Sequence, residues 1–171
     1  MHPSTAATAL VAAGATIERV DAGGVARSVP LEDFFVPVAT DLQRENGLKA
    51  GEIVTAIELP PSAAHTRMAH LKIGEKRMFD WPLADVAVVL ELKPGGTCGR
   101  ASVVLGAAAA VPRRARGAER TLAGRHIDEA AAGAAARAAL EGATPLSHNG
   151  YKLPLFETLV RRAILKAAGA G

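Results

Sequence analysis

Five side chains between positions 72 and 81 carry the densest chemistry in this sequence: Lys72, Lys76, Arg77, Asp80 and Trp81. Three cations, one carboxylate and the single tryptophan share a polar stretch that runs straight into an aliphatic segment. A loop of that chemistry, held by a rigid strand, is a usual place for binding groups. The residues alone also support plainer readings. Lys72 reads as a solvated lysine on an exposed strand face. Lys76, Arg77 and Asp80 read as a surface ion-pair cluster, worth little energetically. Trp81, just before Pro82, reads as a core anchor.

The elements that must position these groups are legible from periodicity. Thr66 to Ile73 predicts a strand bearing Lys72, and Val86 to Leu92, charged only at Glu91, predicts a second with a covered face. Lys93-Pro-Gly-Gly-Thr97 is a turn, so Ala101 to Leu105 returns beside that strand. Upstream, Ser4 caps a short alanine-rich helix stopped at Gly14. Ala15 to Val20 and Val25 to Val29 form a hairpin about Asp21-Ala-Gly-Gly24. Pro30 to Phe35 closes this unit, which is too small to bury a core alone and must pack on something else. A polar connector from Val36 to Gly51 leads to a strand at Glu52 to Leu59, stopped by Pro60-Pro61. Helices follow: Ala115 to Ala123, Asp128 to Glu141 with Asp128 as N-cap, and Pro154 to Ala168. Strands first and helices afterwards predict an α+β fold, a small antiparallel sheet of three to four strands packed with a C-terminal set of helices.

Composition narrows the function. The chain has 171 residues, enough for one domain or for one domain plus a fragment of another. Its charge of +3 is mild, and Arg113, Arg114 and Arg116 form the one arginine cluster. Nucleic-acid binding calls for a denser basic stripe interleaved with aromatics, so the cluster reads as solvated surface. A lone cysteine, Cys98, excludes an internal disulfide and a cysteine-ligated cluster. No apolar run reaches the roughly 20 residues of a membrane span. The apolar start, Ala6 to Ala15, lacks the basic flank of a secretory signal. A cytoplasmic location is the default expectation, with a periplasmic complex left open.

Other polar groups point nowhere in particular. His2, His65, His70, His126 and His148 lack metal-ligand spacing, so no metal is expected. Ser147, His148 and Asp128 make a triad only on paper, without a nucleophile elbow. Asn149, Tyr151 and Lys152 read as capping and packing groups for the last helix.

Several motifs nevertheless occur in a telling order. Pro30-Leu-Glu-Asp-Phe-Phe35, Arg44-Glu-Asn46, Leu48-Lys-Ala-Gly-Glu-Ile53, Phe79-Asp-Trp-Pro-Leu83 with Val86-Ala-Val88, Val103-Val-Leu-Gly106 and Asn149-Gly-Tyr-Lys152 succeed one another. Together they resemble the FAD-binding (medium) subunit of the molybdenum hydroxylases, the group of xanthine dehydrogenase, carbon monoxide dehydrogenase and the bacterial aldehyde oxidoreductases. The aldehyde oxidoreductase type is the nearest likeness. The resemblance spans essentially the whole chain.

That resemblance carries expectations. It implies a C-terminal domain like that of the CO dehydrogenase flavoprotein at residues 36–171, preceded at 1–35 by a helix-and-hairpin remnant of the FAD-binding domain. It implies FAD as cofactor, with Lys72 near the flavin ring and Arg77, Asp80 and Trp81 in the loop bordering it. The glycine-rich loops that hold the FAD pyrophosphate in the family have no counterpart here. Ala22-Gly-Gly24 is too short and reads as a hairpin turn. The chain is therefore expected to be a truncated or split subunit, with Met1 as an internal start. Its partners would be a molybdopterin-binding large subunit and a 2Fe–2S small subunit. It would carry electrons rather than perform substrate chemistry. The alternative is a docking module that binds no FAD by itself.

Overall fold

A computed structural model describes residues 2, 4–76 and 80–169. The first helix, α1 (Thr5–Ala12), begins as its sequence dictates: the Ser4 hydroxyl accepts a hydrogen bond from the Ala7 N–H at 3.2 Å. Strands β1 (Thr16–Val20) and β2 (Ala26–Pro30) form the expected hairpin, and a short helix, α2 (Leu31–Phe34), follows. The next strand, β3 (Ile53–Glu58), then hydrogen-bonds to the other edge of β1, giving an antiparallel sheet ordered β2-β1-β3. A division after Phe35 would assign β3 to the second unit. The strand pairing places it in the first, because the connector folds back: Arg19 holds the Gly47 carbonyl at 2.6 Å and Glu52 at 3.2 Å.

The second sheet is ordered β4-β5-β6-β7, antiparallel throughout, from β4 (Thr66–Ile73), β5 (Ala84–Leu92), β6 (Cys98–Gly106) and the short β7 (Arg113–Arg114). Strand β5 is covered on both faces, which explains its nearly unbroken aliphatic sequence. Ala84, Val86, Val88 and Leu90 face the three C-terminal helices, α3 (Arg116–Leu122), α4 (Glu129–Ala139) and α5 (Lys152–Ala168). On the opposite face Ala87, with Val104 of β6, completes a core made by Val11, Ile17, Leu31, Phe34 and Phe35. The N-terminal unit thus finds on this sheet the packing partner that its size demands.

Alanine dominates the helical layer because the helices lie close. Ala132, Ala135 and Ala136 of α4 are fully buried, and a Cβ on Gly117 of α3 would stand 2.8 Å from the Ala138 carbonyl. Small side chains at the contacts give backbones room to approach. Asp128 caps α4 by accepting from the Ala131 N–H at 2.8 Å, which occupies the carboxylate of the paper triad. Helix α5 starts two residues before Pro154, which sits in the first turn where its missing N–H costs nothing. Asn149 receives the Leu146 N–H within the preceding loop, so its side chain braces that loop rather than capping the helix.

The arginine cluster differs from its expected role as solvated surface. Arg114 pairs with Glu119 at 2.7 Å and Glu32 at 3.2 Å, Arg116 pairs with Glu32 at 2.7 Å, and Arg113 donates to the Ala139 carbonyl at 3.1 Å. The Glu32 bonds tie α2 of the first unit to β7 and α3 of the second, and Arg113 ties β7 to the end of α4. Sequence spacing could not show this, because Glu32 lies more than eighty residues away.

Candidate functional site at the outer face of strand β4

Alternation along β4 divides its side chains. Ala69, Leu71 and Ile73 pack toward the helices, whereas Met68, His70 and Lys72 point to the opposite, exposed face. Beyond Ile73 the chain turns back into β5. That turn closes around Asp80: its backbone carbonyl accepts from Lys72 Nζ at 2.6 Å, and its carboxylate accepts from the N–H groups of Lys76 at 3.1 Å and Trp81 at 3.0 Å. Lys72 and Asp80, singled out from sequence, are therefore in direct contact. Arg77 lies outside the described residues.

Trp81 is not the core anchor it was expected to be. It is 62% exposed. The bonds that close the turn run to the backbone around Asp80, and the buried positions of β5 begin only at Ala84, so the indole is left outside. An exposed indole beside a tethered lysine offers a flat ligand a face and a cation.

One pair in this face was not singled out from sequence. Asp85, only 1% exposed, accepts from Nε2 of His70 at 2.5 Å across the β4–β5 ladder. Its hydrogen bond holds the His70 imidazolium above the ordinary histidine range, against the opposing effects of burial and of the Lys72 charge. Behind the pair, Gly106 of β6 stands opposite Asp85 in the strand register. A Cβ there would fall 2.3 Å from Thr8 Oγ1 and 2.4 Å from Asp85 Oδ2, so helix α1 and the carboxylate meet over bare backbone. The available signal was a lone acidic residue at the head of an aliphatic strand, but starting that strand at Val86 left Asp85 in the linker.

The glycine turn between β1 and β2 is closed by its own aspartate. At the β1–β2 turn, Asp21 Oδ1 accepts the N–H groups of both Gly23 and Val25 at 3.0 Å. The Val25 N–H, with the Arg27 guanidinium and the Gly23 N–H, holds the Asp21 carboxyl below its usual range against the effect of burial. The donors that a diphosphate would need are engaged by a carboxylate that repels it. The hairpin reading of Ala22-Gly-Gly24 accordingly stands.

The four-stranded sheet thus carries helices on one face and the smaller sheet unit on the other. Residues 69–167 match the CO dehydrogenase flavoprotein C-terminal domain, and residues 1–62 match the FAD-binding domain in molybdopterin dehydrogenase. The chain belongs to the FAD-binding medium subunits of the molybdenum hydroxylase family. The gap between the two matched stretches, residues 63–68, runs from the β3–β4 linker into the first residues of β4, so β3 falls in the first stretch with β1, its pairing partner.

Known relatives agree. The aldehyde oxidoreductase FAD-binding subunit PaoB of Escherichia coli (strain K12) is 28% identical over 97% of this chain and 48% of its own length. Quinoline 2-oxidoreductase from Pseudomonas putida 86 superposes with a TM-score of 0.81 at 32% identity, over 95% of this chain and 56% of that one. CO dehydrogenase from Oligotropha carboxidovorans superposes at 0.83 with 28% identity, over 96% and 56%. The chain thus spans about half the length of the curated relative it matches. No helix among the described residues is long and apolar enough to cross a membrane.

Proposed function

We propose that this chain forms the flavin-ring wall of an FAD-containing electron-transfer subunit in a molybdenum hydroxylase of the xanthine, aldehyde or CO dehydrogenase type. FAD, when bound, supplies the two-electron carrier between iron–sulfur clusters on a small subunit and a final acceptor. Substrate oxidation belongs to a molybdopterin-binding large subunit. The chain's own part is to border the ring. Lys72 supplies positive charge near the ring positions where negative charge develops on reduction. Asp80 fixes the turn, and Arg77 and Trp81 shape access for the acceptor. The observation that carries this reading is the tethering of Lys72 to Asp80 within the stretch that matches the flavoprotein C-terminal domain.

The test is co-expression with a large and a small subunit of such an enzyme. A stoichiometric complex with a flavin absorbance band is the expected result. Failure to associate overturns the proposal.

A second reading has its own support. In it the chain is a docking module that binds no FAD by itself. The engaged donors at the Asp21 turn favour it. The purified chain alone is then colourless, and a flavin band surviving desalting would exclude this reading.

A further inference from the structure

We propose that His70 is a positioning residue of this flavin wall, clamped by Asp85 as a fixed cation so that β4 presents His70 and Lys72 side by side on one face. The inference rests on the proposed ring-wall function and extends it to a residue outside the resemblance.

Three observations carry it. First, alternation puts His70 and Lys72 on the same exposed side of β4, two positions and therefore about 6.6 Å apart along the strand. That spacing lies within the length of a tricyclic ring system. Second, Asp85 is buried, and its carboxylate finds its partner in His70 Nε2 at 2.5 Å. Third, the carboxylate is packed from behind: the bare backbone of Gly106 and the Thr8 hydroxyl lie so close that no Cβ fits between them and it.

The imidazole itself is 39% exposed. With Nε2 committed to Asp85, Nδ1 is the ring nitrogen left to face a ligand. Among the described residues, few charges act on the imidazole. Asp85 faces it from β5 and Lys72 from its own strand, while His2 lines the slot under Asp85 together with the neutral Thr8, Pro82 and Gly106. Lys72 disfavours a second cation, but its amine is drawn toward the Asp80 carbonyl. The raised imidazole pKa agrees with this geometry. Two fixed cations stabilise the negative charge of a reduced ring more than one does.

The first measurement uses the full chain. Imidazole NMR signals followed against pH, with His70→Gln for assignment, should show His70 keeping its proton above the ordinary histidine range. Asp85→Asn should return that titration to the ordinary range. The second measurement uses the co-purified complex. His70→Gln should shift the flavin's oxidised–reduced equilibrium toward the oxidised form by about tenfold, or about 30 mV for two electrons, at unchanged flavin occupancy. His70→Lys, which keeps the charge, should restore it. An ordinary His70 titration in the wild-type chain overturns the inference. So does an unmoved potential in His70→Gln at full occupancy, and in that case the ring-wall function stands. A wild-type complex without flavin defeats the proposed function, and this inference with it, before any variant is compared.

Discussion

Lys72 Nζ spans the hairpin turn to the Asp80 carbonyl at 2.6 Å, so one cation both faces solvent and pins the backbone of the loop beside it. A bond of this kind on an exposed surface contributes about 1 kcal/mol or less. Lys72→Met should therefore leave the thermal midpoint nearly unchanged while loosening the turn. Trypsin cutting after Lys76 is the readout, and it should accelerate by about fivefold, as ~1 kcal/mol of easier local opening requires. An unaltered cutting rate would show that the tether holds nothing in place.

Stability should respond to pH through His70. The folded-state imidazole pKa lies above its unfolded value, because Asp85 favours the charged form. The pair's contribution is then fully present below the unfolded histidine value of about 6.5 and disappears as pH rises through the raised folded value. Thermal midpoints measured from pH 6 to 9 should fall more steeply in the wild type than in His70→Gln. Parallel curves would mean that the pair contributes no linkage.

Much of this arrangement was readable from residues alone, and the exceptions have physical causes. Ser4, Gly14, Asp128 and the Lys93–Thr97 turn act locally, so their neighbours in sequence reveal them. The strand at Glu52 to Leu59 was also legible as a strand, but its partner was not. Its exposed side chains on both faces fit either sheet, and only the tertiary fold selects β1. The Arg114–Glu32 and His70–Asp85 pairs were hidden for a related reason: each depends on a register or a docking that brings distant positions together. Trp81 misled because aromatic residues are usually buried, whereas here the hydrogen bonds of the turn set its direction.

Cys98 offers a check on the core that needs no partner or cofactor. It is fully buried at the start of β6, and burial, reinforced by Glu91, pushes its thiol up. Only the thiolate reacts quickly with disulfide reagents, so the native chain should be modified slowly. Relative to denaturant-unfolded chain, the rate should drop by about a thousandfold or more, since reaction awaits opening of the core. Fast native labelling would mean that the β5–β6 region opens independently of the rest.

Gly106 tests the junction between the N-terminal unit and the sheet. Its backbone is not in the left-handed region, so the glycine is required by space rather than by conformation. A methyl group would collide with Thr8 Oγ1 and Asp85 Oδ2, two short side chains on packed elements with little freedom to move. Gly106→Ala should destabilise the chain by about 1–3 kcal/mol, seen as a lower denaturation midpoint. Thr8→Ala removes one of the two obstacles, so the double variant should lose less than the sum of the single changes. Strict additivity would show that α1 does not press on the sheet at this point. Full recovery would show that Asp85 can shift, and the fixed carboxylate behind His70 would then be lost.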